Sequence, residues 1–258
     1  MSLSGKIFLV TGSTHGVGRA VALDAARMGA GGVLITGRDA ESAASVVNEV
    51  EALGAPASAH VADLADPAAP AALIAACITR FGRIDALVNV AALTDRASFV
   101  DGTLEMWERL FAVNTRAPFF LMQGAIEDMR KRGAPGGIVN ILSINVHCGA
   151  PDLAIYSASK GALATLTKNA ANAHRFDRIR VNGINLGWAD TPGERQMQGV
   201  TLKKGEGWLA AASAEQPFGR LIYPDDVARL TLFLLSDAGG PMTGVLIDQE
   251  QWVAGSRS

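Results

Sequence analysis

Ile7-Phe8-Leu9-Val10-Thr11-Gly12-Ser13-Thr14-His15-Gly16-Val17-Gly18 is the stretch on which the fold turns. Four apolar residues in a row, closed by a polar glycine-bearing segment, read as a short strand buried on both faces. The glycines then fall as G-x-x-x-G-x-G, a variant of the dinucleotide fingerprint, where that strand passes into a helix. Glycine lets the backbone approach a pyrophosphate, and a helix N-terminus attracts the anion. Gly12, Thr14, His15, Gly16, Val17 and Gly18 are therefore candidate cofactor contacts. The helix is expected to run to about Met28, with Gly29 as its stop.

Outward from this unit, strand and helix alternate. Residues 32–36 read as a second strand, and Asp39 as the N-cap of a helix ending at Gly54. Ala43, Val46, Val47, Val50 and Leu53 share one face of that helix. Residues 57–61 form a third, weaker strand. The Ala/Pro-rich residues 65–76 read as helical, with Pro67 or Pro70 in the first turn. Residues 85–89 are a fourth strand. A long helix over about 103–132 contains Pro118, which has no N–H for the carbonyl of Asn114. The sequence thus predicts a bend, with that carbonyl turned to water. Residues 138–142 read as a strand ending at Ser143, followed by a helix carrying Tyr156 and Lys160. A sixth strand at 179–184, a helix at 225–235 and a last strand at 244–248 complete the pattern. Residues 188–216 are weakly periodic and are expected to form a mobile, lid-like excursion. The alternation predicts one α/β domain over 1–258: a parallel, doubly wound sheet covered by helices on both faces. Its ligand should lie at the carboxyl ends of the strands.

Composition narrows the function. A net charge of −2 leaves no electrostatic footprint for nucleic acid or an anionic membrane. No apolar run approaches the roughly 20 residues of a membrane span, and the start of the chain does not read as a signal peptide. Cys77 and Cys148 make neither a disulfide framework nor a zinc spacing, which suits a reducing cytoplasm. His15, His60, His147 and His174 show no metal spacing, so no metal is expected.

The chemistry gathers between Ser143 and Lys160. Tyr156 and Lys160 are four apart and share a helical face. A free phenol has a pKa of about 10; a neighbouring cation lowers it and makes Tyr156 usable as acid or base. Ser143 can hold a carbonyl or alcohol oxygen beside that phenol. Arg38, after the second strand, suits a ribose 2′-phosphate, although the Asp39 carboxylate could instead reach a free hydroxyl. The reading favours NADP(H), with NAD(H) as the alternative. Asp63, followed by Leu64, can accept from an adenine amino group. Asn89 and Ala91 end the fourth strand where a nucleoside passes. After the sixth strand, Gly187, Ala189 and Thr191 are placed to hold a nicotinamide amide and phosphate. Asn145, His147 and Trp188 are candidate substrate contacts, with Ser143 and Tyr156.

Taken together, T-G-x-x-x-G-x-G at Thr11 to Gly18, Asn89 in N-x-A, Asn114, and Ser143 with Tyr156-x-x-x-Lys160 resemble the short-chain dehydrogenase/reductase family. The resemblance runs from Lys6 to about Asp248. It implies a Rossmann-type domain with a seven-stranded parallel sheet. It implies NAD(P)-dependent oxidation of alcohols or reduction of carbonyls in dimers or tetramers. By position, Tyr156 resembles the family's general acid/base, Ser143 the residue that polarises the substrate oxygen, and Lys160 the one that holds the nicotinamide ribose. Asn114 resembles the water-holding asparagine. Three departures stand out: Ala92 where the family has glycine, Leu186 where it has proline, and Asp248-Gln249-Glu250-Gln251-Trp252 near the end. The substrate reads as a sugar, polyol or other polar ketone, with a 3-oxoacyl substrate or a catalytically silent cofactor-binding regulator as alternatives.

Overall fold

The computed structural model describes residues 2–147 and 150–254, so Cys148 lies outside the described residues. Seven parallel strands stand in the order β3-β2-β1-β4-β5-β6-β7. They are β1 (Ile7–Val10), β2 (Gly32–Gly37), β3 (Ala57–Val61), β4 (Ala86–Asn89), β5 (Gly136–Ile141), β6 (Ile179–Leu186) and β7 (Leu246–Gln249). The order reverses direction between β1 and β4, which opens a crevice at their carboxyl ends.

Helices cover both faces, which is why the central strands β1, β2 and β4 are apolar runs rather than alternating patterns. Phe8 and Val10 of β1 pack with α1 (Gly16–Arg27), α2 (Ala40–Ala52) and α9 (Pro224–Leu235). Ile7 and Leu9 pack on the opposite face with α3 (Ala69–Phe81), α5 (Ala117–Lys131) and α6 (Ala154–His174). Asp39 caps α2, its carboxylate accepting from the Ser42 N–H at 2.8 Å. Pro70, not Pro67, sits in the first turn of α3. Leu53 caps the end of α2 and is exposed, not on the buried face with Ala43, Val46 and Val50.

Two expectations need correction. Residues 104–131 are helical throughout, but a π-turn stands where the sequence predicts a simple bend at Pro118. Thr103 caps α4 (Leu104–Phe111), a π-turn occupies Ala112–Arg116, and α5 begins at Ala117. The missing N–H of Pro118 is absorbed by an extra residue in the turn before it: the Ala117 N–H reaches back five residues to the Ala112 carbonyl. Pro118 then falls in the first turn of α5, where no donor is needed. The 188–216 segment is largely helical, with α7 (Pro192–Gln196), a π-turn (Met197–Thr201) and α8 (Trp208–Ala214). Among the described residues no helix is long and apolar enough to cross a membrane.

Candidate active site

The crevice holds about 380 Å³, within the usual range of a small-molecule site. The glycine loop forms one wall and is braced on both sides. The Thr11 hydroxyl accepts from the Val90 and Ala91 N–H groups at 3.0 and 3.1 Å. The Ser13 hydroxyl donates to the Val10 carbonyl and accepts from the Thr36 N–H, both at 2.8 Å. Gly12 has φ +62°, and a Cβ there would lie 2.9 Å from the Ala91 backbone. Gly18 does not line the crevice: a Cβ on it would sit 2.3 Å from the Gly12 carbonyl oxygen, so its role is to let α1 close on the loop. Thr14, His15, Gly16 and Val17 line the crevice, and the first turn of α1 carries no acidic residue.

Arg38, Asp63, Leu64 and Ala91 line the same space. The Asp63 carboxylate also accepts from the Ala65 N–H at 2.9 Å, which makes it a turn former. Asn89 is not at the crevice. It points into the sheet, its amide donating to Asn140 Oδ1 at 2.8 Å. Asn140 donates in turn to the Thr167 hydroxyl at 2.8 Å. Gly187 and Ala189 lie outside the lining as well. The Gly187 Cα is covered by the Glu250 carboxylate, and Ala189 forms a bridge with Ile222. Thr191 lines the crevice while capping α7 through the Glu194 N–H at 3.1 Å.

Tyr156 and Lys160 reach the crevice from α6. Ser143, at the end of β5, acts to hold the phenol pKa down, but Ser143 does not line the crevice itself. Lys160 is buried, and its Nζ donates to the Ile141 carbonyl at 2.8 Å. That leaves the ammonium 6.0 Å from the Tyr156 ring centroid. The expected lowering of the phenol pKa is absent. Burial pushes Tyr156 up to about 12, with the Glu194 carboxylate adding to the rise and Ser143 opposing it. Burial brings Lys160 down to about 8. Asn114, fully buried in the π-turn, is fastened by its side chain. Its Oδ1 accepts from the Leu93 N–H at 2.8 Å, and its Nδ2 donates to the Leu93 carbonyl at 2.9 Å and to Ser159 Oγ at 3.0 Å.

The candidate substrate residues are not gathered round the phenol. His147 turns to Asp248, Nε2 to Oδ1 at 2.8 Å, and Asn185 donates to the same oxygen at 2.7 Å. Burial tends to raise the Asp248 carboxyl, but the His147 and Asn185 bonds outweigh it and hold it below the usual range. The Asn145 N–H donates to Ser143 Oγ at 3.2 Å. Trp188 donates to Glu194 Oε1 at 2.7 Å and stacks on Trp208, centroids 6.3 Å apart. Sequence reasoning missed Glu194 and Arg109, which both line the crevice. A signal for Glu194 was present: Thr191-x-x-Glu194, with Pro192 between, has capping-box spacing.

The residues present fit a dinucleotide. The cradle at Gly12 would be filled by a Cβ, and the crevice runs from Arg38 past the start of α1 to Tyr156 and Lys160. Fold and site together define an oxidoreductase that works on CH–OH or carbonyl groups with a nicotinamide cofactor, and the chain belongs to the short-chain dehydrogenase/reductase family. The family model that matches, over residues 12–249, is described as enoyl-(acyl carrier protein) reductase. L-rhamnose 1-dehydrogenase (NAD(P)(+)) of Sphingomonas sp. is 32% identical over 97% of this chain and 98% of that one. The 3-oxoacyl-(acyl-carrier-protein) reductase of Thermotoga maritima is 33% identical over 96% and 97%. The crystal structure of L-sorbose reductase from Gluconobacter frateurii, complexed with NADPH and L-sorbose, superposes with a TM-score of 0.92 at 27% identity, covering 100% of this chain and 99% of that one.

Proposed function

We propose that the protein reduces a polar, hydroxylated ketone, a sugar or polyol derivative, with NADPH, and that Tyr156 is its proton donor. The observation that carries the reading is the Tyr156 phenol and the buried Lys160 meeting at one end of the crevice, with Ser143 acting on that phenol from the end of β5. A phenol pushed up to about 12 is protonated at neutral pH and ready to give its proton to a carbonyl oxygen. Ser143 holds that oxygen, and Lys160, charged at pH 7, supplies positive charge beside the phenol as it empties. Asn114 holds the loop at Leu93 against α6. The nicotinamide, when bound, supplies the hydride. The names of the L-rhamnose and L-sorbose enzymes support the sugar class. The 3-oxoacyl relative supports the runner-up, an acyl-type ketone. The test is NADPH oxidation over a panel of neutral ketoses, plain ketones and 3-oxoacyl thioesters. Cofactor binding with no turnover across the panel would instead indicate a silent regulator.

The preference for NADPH rests on Arg38. Asp39 caps α2 and does not line the crevice, whereas Arg38 does, which supports a guanidinium rather than the Asp39 carboxylate as the group that meets the ribose. Arg38→Gln is expected to weaken NADPH binding about tenfold and NADH binding less than about twofold, read by fluorescence titration. Tighter binding of NADH than of NADPH by the wild type would overturn the preference.

Leu104, Trp107, Phe119 and Phe120 are exposed apolar side chains on α4 and α5. This apolar surface supports a homo-oligomer, a dimer or tetramer, formed through these helices. Phe120→Asp is expected to lower the mass seen by light scattering towards the monomer. We assign residues 188–216 the role of a lid over the substrate end of the crevice, supported by the contact of Glu194 with that space.

A further inference from the structure

Glu194 stands apart from the rest of the crevice. Among the described lining residues the acidic side chains are Asp63, at the far end beside β3, and Glu194, beside Tyr156. Glu194 is held firmly. Its N–H donates to Thr191 Oγ1, and its Oε1 accepts from the Trp188 indole at 2.7 Å and the Gln198 amide at 2.6 Å. Trp188 is steadied by its stack on Trp208. Oε2 accepts from no group among the described residues. Beside it, Oε1 of the buried Gln198 also lacks a donor. A carboxylate clamped on one oxygen, with the other unused at the catalytic end of a crevice, is an acceptor awaiting a donor.

We propose that Glu194 selects the substrate: its Oε2 accepts from a hydroxyl carried next to the reacting carbon of a neutral hydroxylated ketone, and its charge turns away ketones with a carboxylate at that place. The inference rests on the oxidoreductase reading above and narrows its substrate class. A plain or acyl ketone offers no donor and leaves Oε2 shielded from water without a partner. A keto acid adds a like charge. An ammonium group is disfavoured because Lys160 and Arg109 already line the same crevice with positive charge. Trp188, placed at the substrate from sequence, then acts through Glu194 as a positioning residue.

The experiment compares wild type, Glu194→Gln and Glu194→Asp on three ketones of equal carbon number: a neutral ketose, the corresponding keto-aldonate and an unsubstituted ketone. The wild type is expected to favour the ketose over both others by about tenfold or more in kcat/KM, mostly through KM. Glu194→Gln should lose about tenfold on the ketose, gain a few-fold on the unsubstituted ketone, because no charge is then stranded, and narrow the gap to the keto-aldonate. Glu194→Asp should recover part of the preference. A second reading needs no turnover. The ultraviolet titration of Tyr156, in a Tyr223→Phe background without cofactor, should move to lower pH in Glu194→Gln. Unchanged substrate ratios in Glu194→Gln, or an unmoved phenol titration, would overturn the selection role alone. No turnover of any ketone by wild type with NADPH bound would overturn the enzymatic reading, and this inference with it.

Discussion

Tyr156→Phe is expected to bind NADPH within about twofold of the wild type and to turn over about a thousandfold more slowly. The substitution removes one oxygen and keeps the ring, so the wall of the crevice survives. What is lost, on the proposed mechanism, is the proton donor to the substrate oxygen. The Ser143 hydroxyl remains at the end of β5, where it still accepts from the Asn145 N–H. The decline should therefore fall on kcat more than on KM, as for an interaction made in the transition state. Turnover in Tyr156→Phe within tenfold of wild type, measured with a substrate found in the panel, would remove the phenol from the mechanism.

Lys160→Met should carry two signatures. The first is a loss of turnover of at least about a hundredfold, because the positive charge near the phenol disappears. The second is a change in how stability depends on pH. Lys160 titrates near 8 in the folded chain and near its ordinary 10.5 when unfolded. Between those values the unfolded chain binds more protons, so this residue makes stability rise with pH across that window. From pH 7 to pH 9 the rise amounts to about 1 kcal/mol. Tyr156 and Cys77 act in the opposite sense. Burial raises their pKa to about 12, so their contributions fall as pH climbs past their ordinary values of 10.0 and 9.0. Both residues are present in wild type and variant, so the difference between the two proteins isolates the lysine. Denaturant unfolding of the cofactor-free protein at pH 7 and pH 9 measures it. Equal pH slopes would show that the amine is not buried with its charge.

The central strands were readable in the sequence because β1, β2 and β4 are apolar runs, the pattern that a sheet covered on both faces demands, whereas the edge strands β3 and β7 carry His60 and Asp248 and showed less clearly. The π-turn was not. Pro118 tells where a hydrogen bond is lost, but not whether the chain will bend or insert a residue upstream. Helices α7 and α8 escaped because five and seven residues are too few to show a period. At the site, Ser143, Tyr156 and Lys160 were legible from spacing, which fixes the face of a helix. Spacing does not fix where a long or branched side chain ends. Lys160 ends on the Ile141 carbonyl and His147 on Asp248, and both partners are remote in sequence. Glu194 was passed over because its neighbours were read as a loop.

The Asn89–Asn140 pair settles a question that apolar burial leaves open. Strands β4 and β5 pair with Asn89 opposite Asn140, and the other residues in the ladder are apolar or glycine. A slip of β5 by two residues would return aliphatic side chains to the same faces and forfeit little contact. It would also pull the Asn140 amide away from both Asn89 and Thr167, stranding polar groups in a dry interior. One amide pair thus works as an alignment key for the middle of the sheet, choosing among near-equal pairings while the newborn chain assembles.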